Sequence, residues 1–330
     1  MKLGENLFSF FSFLSPFFIS IPLECSHLFE SIENYDVQAI EAALSKGVDV
    51  NCINKDGYTP LQMAAKKGSL EIVRLLLNHN ANIDAKSKYG SALYLASANK
   101  YLEICSLLLE SGAKVISLHA ASGKGFIEIV NLLIDFGALI NERNSYGATP
   151  LHEASYYGKT AMVEILIARG AQLDIRDDSN ATPLIGASMQ GHANTVRSFI
   201  KEARKVDNSW LYPEMNWALY EASGEGHLPV VDELLGSGAD INSMYQGDGA
   251  TPLYFAMRKQ QNKIVARLLF SGSNITAEEE KYSPLGYAQY LKKQDNSKEA
   301  RELYTLIDKF AEDAMPLIIM KNKFADGKKN

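Results

Sequence analysis

Two kinds of short apolar stripe alternate along this chain, and neither is long enough to fold alone. One is strongly hydrophobic over six residues, as in Ile72-Val73-Arg74-Leu75-Leu76-Leu77 and Ile129-Val130-Asn131-Leu132-Leu133-Ile134. The other opens on Thr-Pro-Leu and continues into alanine, as in Thr59-Pro60-Leu61-Gln62-Met63-Ala64-Ala65. Apolar positions at helical spacing predict helices, each with one face to bury. Thr suits the N-cap, where its hydroxyl accepts from a free N–H of the next turn, and Pro suits the first helical position. Gly68, Gly125, Gly158, Gly191 and Gly226 end the first helix of each pair; Gly47, Gly112, Gly137, Gly170, Gly238 and Gly272 end the second. Asn80 takes that second place once. A helix stop of this kind needs a left-handed residue, which Gly adopts freely and Asn tolerates.

The pair is a repeat. Thr-Pro-Leu recurs at Thr59, Thr149, Thr182 and Thr251, with a weaker Ser283-Pro284-Leu285, and Leu118, Leu151 and Leu184 follow one another at intervals of 33 residues. The first-helix leucine anchors nine units: Leu28, Leu61, Leu93, Leu118, Leu151, Leu184, Leu219, Leu253 and Leu285. A single pair of short helices cannot cover its own apolar face, so the units must stack, and the degenerate first and last are expected to cap the stack. The prediction is an all-α repeat solenoid.

The run Thr149-Pro150-Leu151-His152-Glu153-Ala154, then Gly158, Val163-Glu164-Ile165-Leu166-Ile167, Gly170-Ala171 and Leu173-Asp174, resembles one ankyrin repeat. Similar units cover residues 26–313. The resemblance implies stacked helix-turn-helix units with short β-hairpin fingers projecting from one side. It also implies protein binding through the fingers and the inner helices.

Two intervals depart from the pattern. Leu93 and Leu118 are only 25 residues apart, and Lys114-Val115-Ile116-Ser117 is too short for a hairpin finger. After the sixth unit Ala203 stands where a stop glycine is expected, and residues 204–216 form an irregular junction. Both tryptophans, Trp210 and Trp217, fall beside it. Residues 1–25 are apolar between Leu7 and Leu23, which reads either as a secretion signal or membrane contact, or as a cap on the first repeat. Residues 314–330 are a polar, Lys-rich tail expected to be disordered.

Charge and chemistry narrow the function. The net charge is −6, from 33 basic and 39 acidic residues, which argues against a nucleic-acid binder. Cys25, Cys52 and Cys105 give neither a disulfide framework nor a metal spacing, and Cys105 sits in an apolar stripe as a buried thiol. His119 and His152 share one repeat position, and His192 and His227 another. That register explains them as local hydrogen-bonding residues rather than metal ligands. Gly158-Lys159-Thr160 lacks the earlier glycine of a phosphate loop, since position 153 is Glu153. No catalytic residue, cofactor, metal or small-molecule substrate is expected.

The expectation is a monomeric, cytoplasmic scaffold or adaptor that binds a protein. An exported factor capturing a foreign or host protein is the alternative, and an enzyme with a site built across repeats a more distant one. Finger tips and the last residues of the first helix are positions that folding leaves free. There the sequence carries Tyr146, Tyr156, Tyr157, Met189 and Gln190, with Trp210 and Tyr212 at the junction, as candidate partner-binding residues. Lys55, Lys66 and Lys67 form a second candidate face, suited to an acidic partner.

Overall fold

The computed structural model describes residues 23–310, apart from 117, 206–208, 246–248, 276–283, 295–296 and 299. The apolar stretch before Leu23, the tail at 314–330, and Ser117 and Ser283 therefore lie outside the described residues. The helices pair as Leu23–Glu33 with Val37–Ser45, Pro60–Lys67 with Leu70–Asn78, and Ala92–Ala98 with Leu102–Glu110. They continue as His119–Lys124 with Ile127–Asp135, Pro150–Tyr156 with Thr160–Ala168, and Pro183–Met189 with Ala193–Ala203. Leu211–Glu225 pairs with Leu228–Gly236 and Pro252–Arg258 with Asn262–Phe270. A last helix, Pro284–Gln294, precedes helical residues 300–310. The architecture is an all-α repeat solenoid.

The anchor leucines explain the stacking. Leu28, Leu61, Leu93, Leu118, Leu151, Leu184, Leu219 and Leu253 are all buried. Three residues on, Ala64, Ala96, Ala121, Ala154, Ala187, Ala222 and Ala256 are buried too, and so small a side chain lets neighbouring first helices approach closely. The second helices bury matched triplets such as Ile72, Val73 and Leu76, or Met162, Val163 and Leu166.

Seven residues after each anchor the backbone is left-handed, at Tyr35, Gly68, Lys100, Gly125, Gly158, Gly191, Gly226 and Gln260. Glycine was the expected residue; Tyr35, Lys100 and Gln260 hold the same turn without it. The glycines have a second reason to be there. A Cβ on Gly68 would meet the ring of Tyr101, and one on Gly158 would lie 2.5 Å from His192 Nδ1. The next repeat's side chain thus lies directly on the glycine.

The fingers are reduced to their turns. Asn54 Oδ1 accepts from the N–H groups of Asp56 and Tyr58, Asn144 Oδ1 from Tyr146 and Ala148, and Asp177 Oδ1 from Ser179 and Ala181. A single isolated bridge, Ser87 to Gly90, is the strand-like pairing among the described residues. The side-chain oxygen satisfies the turn so fully that a hairpin ladder is not required.

The contacts divide the chain into two compact blocks, Met1–Ile116 and Ser117–Asn330. The boundary falls in the short interval between Leu93 and Leu118. Residues 113–116 carry neither helix nor turn, and Lys114 N–H donates to Asp84 Oδ1 at 2.9 Å.

Candidate functional site

The threonines were expected to cap by accepting from the next turn. Thr59 Oγ1 accepts from Gln62 N–H, and Thr251 Oγ1 from Tyr254 N–H. Thr149 keeps a capping box with His152, whereas Thr182 differs, because a stronger side-chain partner is in reach. Thr149 N–H donates to His152 Nδ1 at 3.0 Å, with its hydroxyl 2.8 Å from the same nitrogen. Thr182 donates its hydroxyl to Glu214 Oε2 at 3.0 Å.

The histidines join one repeat to its neighbour. His152 Nδ1 accepts, so Nε2 carries the proton and faces Ala181 O at 3.1 Å. His119 Nε2 meets Ala148 O, His192 Nε2 meets Tyr156 O, and His227 Nε2 meets Met189 O, at 2.8–3.0 Å. Burial holds the His152 imidazole below its usual pKa, although its bond to Ala181 O pulls the other way. Burial likewise pushes the Cys105 thiol up, with Ser97 Oγ 3.4 Å from its sulfur. Among the described residues no group of His, Cys, Asp or Glu is arranged to hold a metal ion, and no helix is long and apolar enough to cross a membrane.

The candidate binding residues fall in three places. Tyr156 and Tyr157 close the first helix of the fifth repeat, exposed at 48% and 54%, with rings edge-to-face at 5.2 Å. Tyr157 also lies over Gly123, where a Cβ would sit 3.1 Å from its ring. Met189 occupies the register of Tyr156 one repeat on, and both it and Gln190 are exposed. Tyr146 is exposed on the fifth finger, ahead of the helix that Tyr156 ends, so about 10 Å of helix separates the two. Trp210 is half-buried edge-on to Phe199 at 6.4 Å, covering the joint after the sixth repeat. Tyr212 is exposed beside Gly238.

The junction builds a cleft that the sequence did not disclose. Glu214, nearly buried, pairs with Arg176 and accepts from Thr182. The Arg176 guanidinium also lies 5.7 Å from the ring centre of Trp217. Trp217 is tilted against Tyr245 at 5.6 Å, and Tyr245, Tyr220 and Phe255 stack in a column at 4.6 and 4.4 Å. Of these residues Arg176, Glu214, Trp217 and Tyr245, together with Asn180, Pro213, Asn216, Ser243 and Met244, line a cleft of about 450 Å³. Tyr245 had a legible signal. Its N–H donates to Ala250 O, which places it where other fingers carry the turn-capping Asn54, Asn144 or Asp177.

A family model described as ankyrin repeats matches residues 28–118, 118–210 and 219–304. It passes over 211–218, the stretch that brings Glu214 and Trp217 to the cleft. An ankyrin repeat protein of Acanthamoeba polyphaga mimivirus is 34% identical over 87 residues, 26% of this chain and 11% of the relative. The B-cell lymphoma 3 protein homolog of Mus musculus is 38% identical over 78 residues, 23% of this chain and 17% of that one. The 2-5A-dependent ribonuclease of Mus musculus is 35% identical over 71 residues, 21% of this chain and 10% of the enzyme. The chain thus spans less than a fifth of the length of each of these relatives. Repeats of this kind are in general protein-binding modules without catalysis of their own.

Proposed function

We propose, from the premise that the chain belongs to the ankyrin repeat family, that it is a non-catalytic scaffold holding a partner protein against the ends of its first helices. The observation that carries this reading is the exposed group Tyr156, Tyr157 and Met189. Tyr156 and Met189 share one register position in consecutive repeats, and Tyr157 meets Tyr156 edge-on. Tyr157 rests partly on Gly123 of the preceding repeat, but the side chains of Tyr156 and Met189 are not buried by the packing of the repeat. Tyrosine offers a broad contact with few rotatable bonds, which limits the entropy lost on docking. The scaffold is an adaptor in the cytoplasm of its own cell, and captures from that cell and from a host cell distinguish it from an exported factor.

The test is a comparative capture. Immobilised full chain and a Tyr156→Ala, Tyr157→Ala variant are exposed to the same extract, and the retained proteins are identified by mass spectrometry. A protein held by the full chain and lost by the variant, with the far-UV dichroism unchanged, is the expected result. Identical proteins on both would sink the reading.

One observation favours a second surface. The cleft between Arg176, Trp217, Met244 and Tyr245 has room for an anchoring side chain, between walls that are as much polar as apolar. Loss of the captured protein with Trp217→Ala, and its retention by the double tyrosine variant, would move the contact to this cleft.

A further inference from the structure

The second and third repeats carry a different surface, made of lysines lying on tyrosine rings. The rings of Tyr58 and Tyr89 stack at 4.5 Å with an interplanar angle of 9°. Lys66 Nζ lies 4.6 Å from the centre of the Tyr58 ring and donates to its hydroxyl at 3.1 Å. Lys88 Nζ lies 4.8 Å from the centre of Tyr89. The result is a ladder of cation, ring, ring and cation that runs from the end of the helix Pro60–Lys67 to the third finger, with Tyr58 itself buried. Beside it Lys67 Nζ lies 5.6 Å from the Tyr35 ring, and Lys55 is exposed on the second finger.

Tyr58 is a departure from the repeat, since Ala148, Ala181 and Ala250 hold the equivalent place. A ring face orients an ammonium and leaves its charge in place. Among the described residues no carboxylate forms an ion pair with Lys55, Lys66, Lys67 or Lys88. Asp56 is the acidic group on the same finger. In a chain of net charge −6, this is a local concentration of positive charge on a rigid aromatic support.

We propose that this ladder is a docking surface for an acidic, extended segment of a partner protein. Charge complementarity selects the occupant: four lysines held by no direct ion pair, with Asp56 the acidic group acting on Lys88, leave net positive charge that matches a run of Asp and Glu side chains. Nucleic acid is disfavoured by the same geometry. Tyr58 and Tyr89 cover one another, and the lysines lie over the rings, so their faces are not open platforms for stacking bases. The surface is separate from Tyr156, Tyr157 and Met189 and does not rest on them.

The experiment measures fluorescence anisotropy of a labelled octaglutamate peptide titrated with the full chain. Binding at low ionic strength that weakens as salt is raised is expected. Lys66→Gln, Lys88→Gln together should weaken it roughly tenfold, and Lys66→Arg, Lys88→Arg should restore it. Lys298→Gln, a charge removed elsewhere, should leave it unchanged, as should Tyr156→Ala with Tyr157→Ala. A chain that binds octaglutamate yet captures nothing through Tyr156 fails only the preceding reading. Equal weakening by Lys298→Gln would overturn the assignment, and so would tighter binding of a single-stranded oligonucleotide of equal charge. Self-association in sedimentation that the double glutamine variant abolishes would make the occupant a second copy, and would overturn it too.

Discussion

At the residue scale, one position shows how two side chains meet the same demand. His152 accepts from Thr149 N–H and faces Ala181 O; Gln62, in the same register, accepts from Thr59 N–H through Oε1 and donates to Ala85 O at 2.8 Å. Only the imidazole can take a proton. Burial depresses the pKa of His152 in the folded chain, so the unfolded chain binds the proton first. The neutral form's contribution is complete above the ordinary histidine pKa of about 6.5 and is lost as pH falls below it. His152→Gln should therefore flatten the fall in melting temperature between neutral and mildly acidic pH while keeping both hydrogen bonds. A variant that melts with the original pH slope would show that His152 is not the group responsible. Leu151, fully buried beside it, sets the packing: Leu151→Ala should cost about 2–5 kcal/mol in denaturant unfolding.

The element scale turns on how closely one first helix approaches the next. Gly224 sits inside the helix Leu211–Glu225, where a left-handed backbone is not the reason for it. A Cβ there would run into the ring of Phe255, which is stacked on Tyr220. Gly224→Ala should therefore destabilise the chain by about 1–3 kcal/mol through overpacking, although alanine favours helix. A gain in melting temperature would mean that helix propensity wins and that the column yields easily. The same contacts show what was legible. Helix stops and anchor leucines could be read because local chemistry dictates them. The left-handed Tyr35, Lys100 and Gln260 could not, because the register imposes the turn on residues that do not ask for it. Glu214 and Arg176 stand 38 residues apart, and only stacking brings them together. Tyr245 was readable in principle, as an aromatic residue in place of a turn-capping Asn or Asp.

For the whole molecule, the 25-residue interval between Leu93 and Leu118 marks more than a shortened finger. The chain divides into its two compact blocks there. Since each repeat is stabilised by its immediate neighbours, the block from Ser117 onward contains its own core. A fragment spanning 117–330 should show a helical far-UV spectrum and a cooperative melt; a fragment without a melting transition would mean that it depends on the first three repeats. Function follows from what stacking leaves over. Eight buried anchor leucines and the inter-repeat histidine bonds are consumed by the fold, whereas the exposed side chains of Tyr156 and Met189, and the outer face of Tyr157, are left over.

The most direct measurement is calorimetric titration of the captured partner into the full chain and into the Tyr156→Ala, Tyr157→Ala variant, each checked by thermal melting. Truncation of such anchors commonly costs about 2 kcal/mol or more, so affinity should fall roughly thirtyfold in a variant that melts normally. The same dissociation constant for both proteins would contradict a scaffold that holds its partner at the ends of the first helices.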